Sequence, residues 1–255
     1  GDPAVWSGRA PICFPICGGL RDGRAMTMGG REVKLARHGF ARKQEWKLEG
    51  QGDNMVALSL SSADHAELLE QYPFPFKIVA RYTVDAAKVI VSYEVINEGT
   101  EDMPFFVGGH PGFKCPLDEG ESYDDYELRF DQREAAELCT AVPSTGLIDV
   151  EHRSKNPMIG HDLPLTHELF DFAETIFDVL ESRVVTLTKK TEDKGVRLTF
   201  PDMPYLAAWL PSRERPSSAA LRLRSFNELS YVWGGSCRPG TGVQYDSDRY
   251  HEPVD

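Results

Sequence analysis

Imidazole and guanidinium groups concentrate beside glycines at two places in this sequence. Arg37-His38-Gly39-Phe40-Ala41-Arg42, followed by Trp46, sets a histidine and two arginines around one glycine. Phe105-Phe106-Val107-Gly108-Gly109-His110-Pro111-Gly112-Phe113 sets a second histidine between glycines and a proline, flanked by aromatic rings. Histidine gives and takes protons near neutrality, its ordinary pKa being ~6.5. A glycine-rich backbone can bring such a ring close to a ligand, and arginine supplies a fork of donors. A third cluster, Asp202-Met203-Pro204-Tyr205-Leu206-Ala207-Ala208-Trp209, adds an aromatic pair after a strand. Taken singly, each cluster has an ordinary structural explanation: histidines beside glycines are common in loops, and aromatics are common in cores. His65, His152, His161, His167 and His251 are scattered among polar residues and read as surface groups.

These groups need a scaffold, and 255 residues suffice for one large domain. At this length roughly 70–75% of the unfolded chain's surface can be buried, so no covalent staple is needed. Hydrophobic residues make up 41% and charged residues 27%, as in an ordinary globular chain. Lys and Arg total 28 against 40 Asp and Glu, a formal charge of −12. That balance speaks against nucleic acid and against an anionic membrane surface as partners. No run of apolar residues is long enough for a transmembrane helix, and the start, Gly1-Asp2-Pro3-Ala4-Val5-Trp6, does not read as a signal peptide. The 5 cysteines show no paired framework and read as reduced thiols. A cytoplasmic location is the corresponding expectation. No CxxC or HExxH motif points to a metal.

Strand patterns dominate. Asn54–Ser61, Phe76–Val84 and Lys88–Asn97 alternate apolar and polar residues, and Glu127–Asp131, Val184–Lys190 and Gly195–Pro201 add shorter runs. Asn97-Glu98-Gly99 and Glu192-Asp193-Lys194-Gly195 read as hairpin turns. Helical patterns are few: Ala63–Gln71, a turn at Glu134–Leu138, another at Leu165–Phe172. Residues 211–242 carry weak periodicity and many Ser, Arg and Gly, which predicts a long loop. With no clean linker, the simplest organisation is a single all-β domain over residues 1–255, mainly antiparallel.

In order along the chain stand Trp6-Ser7-Gly8-Arg9-Ala10-Pro11, Phe14-Pro15-Ile16-Cys17-Gly18-Gly19-Leu20 and His38-Gly39-Phe40-Ala41-Arg42. They are followed by Tyr72-Pro73-Phe74-Pro75-Phe76, Gly108-Gly109-His110-Pro111-Gly112-Phe113, Leu169-Phe170 and Pro204-Tyr205 with Trp209. This succession resembles the aldose 1-epimerase (galactose mutarotase-like) family, in particular its LacX-like branch. The resemblance implies a large twisted β-sandwich with a sugar cleft on a concave sheet. It implies an isomerase that interconverts the α and β anomers of an aldose without a cofactor. An acid protonates the ring oxygen while a carboxylate base takes the anomeric hydroxyl proton. By the same resemblance His110 is the acid and His38 a second histidine at the reacting centre. Arg42, Trp209 and Phe113 are the implied substrate contacts. The implied partner is a small sugar, a free hexose or a hexose phosphate, and the chain a monomer or homodimer.

The sequence departs from the family in two respects. The family's first strands, on the order of 40 residues by ordinary strand lengths, have no counterpart before Gly1-Asp2-Pro3. The branch's Glu-Pro-Trp motif falls at Ser217-Ser218-Ala219-Ala220-Leu221-Arg222, which holds no carboxylate. Glu228 is the nearest downstream candidate base. The composition of 211–242 fits either a divergent loop or a shifted reading frame. A sugar-binding protein of the same fold, impaired in catalysis, is the alternative to the isomerase.

Overall fold

The computed structural model describes residues 10–142, 144–145, 147–166, 168–170, 174–192, 194–209, 220–226, 236–237 and 242–251, the last three segments, Thr140 and Phe170 as backbone only. Two antiparallel sheets face one another across a shared core. The 8-stranded sheet runs Ile12–Cys13, Gly108–Gly109, Ala220–Phe226, Tyr205–Trp209, Thr175–Phe177, Leu138–Ala141, Ile148–Ser154, with Gly112–Lys114 also pairing to Ala220–Phe226. The 9-stranded sheet runs Asp162–Pro164, Tyr126–Phe130, Val184–Lys189, Gly195–Thr199, Gly242–His251, Lys88–Asn97, Phe76–Asp85, Met55–Ser61, Lys47–Gln51. The only helices among the described residues are short 3-10 turns.

Alternation explains why the sheets meet. Along Lys88–Asn97 every second residue, Val91, Tyr93, Val95 and Asn97, is buried. The sheets are joined by rings: Phe130 of the larger sheet lies 5.1 Å from Phe177 of the smaller, centroid to centroid. Phe14 lies 5.2 Å from Phe76 and 6.1 Å from Phe105. Each such buried side chain contributes about 1.5–3 kcal/mol.

The strands at Met55–Ser61, Phe76–Asp85, Lys88–Asn97, Tyr126–Phe130, Val184–Lys189 and Gly195–Thr199 follow the sequence reading to within a residue or two. The hairpin turn at residues 192–195 also holds, since Thr188 pairs with Gly195 across it, while several other expectations need correction. Ala63–Gln71 shrinks to a 3-10 turn at Ala66–Glu70, because the Ser61 hydroxyl accepts the Ala63 amide at 3.1 Å and delays the helix. Glu134–Leu138 is not helical. The buried Glu134 carboxylate accepts the amides of Glu181 and Ser182 at 3.0 and 2.7 Å, which fixes an open bend. Of Leu165–Phe172, a 3-10 turn forms at Glu168–Phe170. Asn97-Glu98-Gly99 is a turn but not a hairpin. Its Asn97 Oδ1 accepts the Gly99 amide at 2.9 Å, and the chain then leaves for Met103–Pro104. The real hairpin precedes it at Ala86-Ala87, where Asp85 pairs with Lys88 and Ala86 takes φ +51°. Residues 211–242 are not one loop: Ala220–Phe226 lies inside the smaller sheet, and Ser236–Cys237 pairs with Met103–Pro104.

Candidate active site

The segment Ile12–Gly18 holds both glycine-flanked histidines. On one side Ile12 pairs with Gly109 and Cys13 with Gly108, while the Pro15 carbonyl accepts the Phe106 amide at 3.0 Å. On the other, the Phe14 carbonyl accepts the amides of Phe40 and Ala41 at 3.1 and 3.2 Å. A Cβ at Gly39 would collide with that carbonyl, and Gly39 also has φ +68°, so the close approach requires glycine.

His38 sits just before this contact with φ +67°, a left-handed conformation that costs a non-glycine residue about 1–2 kcal/mol. The surroundings sustain it. The His38 amide donates to the Gly18 carbonyl at 2.7 Å, and the Gly18 amide donates to His38 Nδ1 at 3.0 Å. The residue is 6% exposed.

His110 follows the strand Gly108–Gly109 and is half-buried. Its ring meets that of His38 edge to face, centroids 5.7 Å apart and planes at 88°. Gly109 pairs with Ser225 and Gly112 with Arg222. The continuing register sets His110 opposite Arg224, which pairs with Ala207. Ala207 and Trp209 share a sheet face, since residues two apart in a strand point the same way. His110 and Trp209 therefore occupy one face of the smaller sheet. Trp209 is half-buried at the end of its strand, opposite Arg222.

The other sequence candidates divide. Arg42 lies exposed in the 3-10 turn Ala41–Lys43, beside the Phe14 carbonyl contact. Phe113 is one step past Gly112, so it alternates to the opposite face, where it packs against the core. Glu228 lies outside the described residues. Among the described residues, no group of His, Cys, Asp and Glu could hold a metal ion, and no helix is long and apolar enough to cross a membrane.

The structure adds two residues that sequence reading passed over. Glu174 precedes Thr175, which pairs with Ala208, so its register position is opposite Trp209. Its carboxylate, 11% exposed, accepts Arg37 Nη2 at 2.8 Å. The charge pair ties the His38 loop to the strand beside Trp209. No spacing in the sequence announces it, since 137 residues separate the partners. Gly18 is the other, and the signal was present: it stands in the run Phe14–Leu20, although its amide rather than any side chain does the work.

Comparison with known proteins identifies the family and the fold. The Aldose 1-epimerase family profile matches residues 4–224. The chromosomal protein LacX of Lactococcus lactis subsp. lactis is 38% identical over 220 residues, spanning 84% of this chain and 73% of LacX. A galactose mutarotase-like protein from Lactobacillus casei superposes with a TM-score of 0.85 at 26% identity, covering 98% of this chain and 88% of that one. A galactose mutarotase related enzyme from Lactobacillus acidophilus superposes at 0.84 with 25% identity, covering 100% and 86%. The fold is the galactose mutarotase-like all-β architecture. The match over most of the chain and the 38% identity to LacX make this chain a member of the aldose 1-epimerase family.

Proposed function

We propose that this chain interconverts the α and β anomers of a hexose. The edge-to-face pair of His38 and His110, with His110 on the sheet face that carries Trp209, supports this reading above all. The sugar stacks its C–H surface against Trp209. His110 gives a proton to the ring oxygen, and a carboxylate takes the proton of the anomeric hydroxyl. The bond between C1 and the ring oxygen breaks, leaving an open-chain aldehyde. Rotation about C1–C2 and reclosure with both proton transfers reversed yields the other anomer, so no cofactor is consumed. Glu228 is the proposed base, and Glu174 is the competing carboxylate, already seated beside Trp209's strand. The substrate is a free hexose or a hexose phosphate, turned over by a cytoplasmic monomer or homodimer.

A second reading has a specific observation behind it. The stretch Ser217–Arg222 lacks the carboxylate that the LacX-like branch carries there. On that reading the chain binds sugar without turning it over.

The deciding experiment follows α-to-β exchange of galactose and of glucose by polarimetry or NMR, with and without the folded protein. Acceleration that falls about 10²–10⁴-fold in His110→Ala, with sugar binding retained, supports the isomerase. Binding without acceleration supports the second reading. Acceleration that survives His110→Ala removes His110 as the acid.

A further inference from the structure

We propose that the backbone amide of Gly18 fixes His38 as the Nε2–H tautomer, so that His38 serves only as a hydrogen-bond donor and His110 carries the proton transfers. A peptide N–H can only donate. Its hydrogen bond of 3.0 Å to His38 Nδ1 therefore occupies that nitrogen's lone pair. In the neutral ring the single proton must then sit on Nε2. The lone pair that would make His38 a base is already taken.

The surroundings keep the ring from reorienting. The return hydrogen bond from the His38 amide to the Gly18 carbonyl, 2.7 Å, locks the two residues together. Gly18 and His38 both have left-handed backbones, φ +93° and +67°, and each conformation aims its residue at the other. The residue is only 6% exposed, so turning the ring would trade the Gly18 donor for little solvent. The rings of His110 and His38 meet edge to face, and Arg37, the neighbour of His38 in sequence, is held by Glu174. Gly18 is thus a positioning residue acting through its main chain, in the way outer-shell partners set the tautomer of working histidines. The two imidazoles consequently do different jobs: His38 supplies a fixed donor and His110 shuttles the proton. The donor role rests on the isomerase reading; the tautomer does not.

The test uses the full chain labelled with ¹⁵N-histidine and long-range ¹H–¹⁵N correlation at neutral pH. His38→Gln and His110→Gln spectra assign the signals. The expected result is a pyridine-type Nδ1 and a pyrrole-type Nε2 for His38, unchanged on adding galactose. A protonated Nδ1, or two tautomers in exchange, overturns the assignment whether or not the protein is an enzyme. The donor role is read from anomer exchange. A glutamine amide can replace an Nε2–H donor, so His38→Gln should stay within about tenfold of wild type, the scale of one neutral hydrogen bond. His38→Ala should lose about 100-fold, the scale of one lost preorganised donor. A folded His38→Gln as slow as His38→Ala overturns the donor role. If even wild type fails to accelerate exchange, the isomerase reading fails, and the spectrum still decides the tautomer.

Discussion

Arg37 and Glu174 close a charge-assisted bridge of 2.8 Å between the loop that carries His38 and the strand that flanks Trp209. Arg37 is 51% exposed and Glu174 only 11%, so solvent screens the pair from one side. A double-mutant cycle of Arg37→Ala and Glu174→Gln in urea should therefore give a coupling of about 0.5–1.5 kcal/mol, above a surface ion pair and below a buried one. Coupling indistinguishable from zero shows that the bridge does not tether the loop.

Gly39→Ala tests the other fixation of the same loop. The new methyl meets the Phe14 carbonyl while the backbone holds φ +68°. The left-handed conformation alone costs ~1–2 kcal/mol, and moving a main-chain carbonyl adds to it. The variant should lose about 3 kcal/mol or more and should also lose the His38–Gly18 contact. A melting temperature equal to wild type sinks the close-approach argument.

Arg153 grips Asp178 with both arms of its guanidinium, at 2.8 and 2.5 Å. Burial pushes the Asp178 carboxyl up, but hydrogen bonding and charge from Arg153, together with hydrogen bonds from Cys139 and the backbone, outweigh it and hold the carboxyl below its ordinary range. A depressed pKa contributes stability above the unfolded value, ~3.9. That contribution disappears as pH falls through the folded value. Arg153→Ala strands a buried carboxylate and should cost about 2 kcal/mol at pH 7. The difference from wild type should narrow at pH 3, where the variant's carboxyl, raised by burial and no longer held by the guanidinium, takes up a proton. Denaturation curves at both pH values measure it, and a cost independent of pH refutes the charge argument.

Burial pushes the Cys115 thiol up to about 12, with the Glu121 charge adding to the shift. At pH 8 its thiolate fraction is then on the order of 1 in 10,000, and the thiolate is the nucleophile. Native protein treated with iodoacetamide should leave Cys115 unlabelled by mass spectrometry, and urea should expose it. Rapid labelling of the native chain contradicts the buried placement.

The scaffold was legible where burial alternates and turns are polar. Lys88–Asn97 reads as a strand with its observed ends because each second residue faces the core. The hairpin at Ala86-Ala87 escaped, since alanine carries no turn signal and the φ of +51° is imposed by the flanking ladder. Ala220–Phe226 escaped because Ser and Arg around it suggested a loop, yet Leu221 and Leu223 alternate with Arg222 and Arg224 within it. In the site, His38 and His110 were visible from their glycine neighbours, whose purpose is close backbone approach. Glu174 was invisible, because its meaning comes from a register opposite Trp209 and from a distant arginine. Gly18 was visible as a residue but not as a donor, since only the folded chain shows where a main-chain N–H points.

The two-residue strand Gly108–Gly109 lies between Ile12–Cys13 and Ala220–Phe226. A ribosome has delivered both imidazoles once it reaches His110, yet one wall of that ladder is still untranslated. A nascent chain of intermediate length can fold its early hairpins, as N-terminal parts do during synthesis, while His110 hangs from a half-built frame. That frame around His110 is complete only once the distant strand pairs beside Gly109.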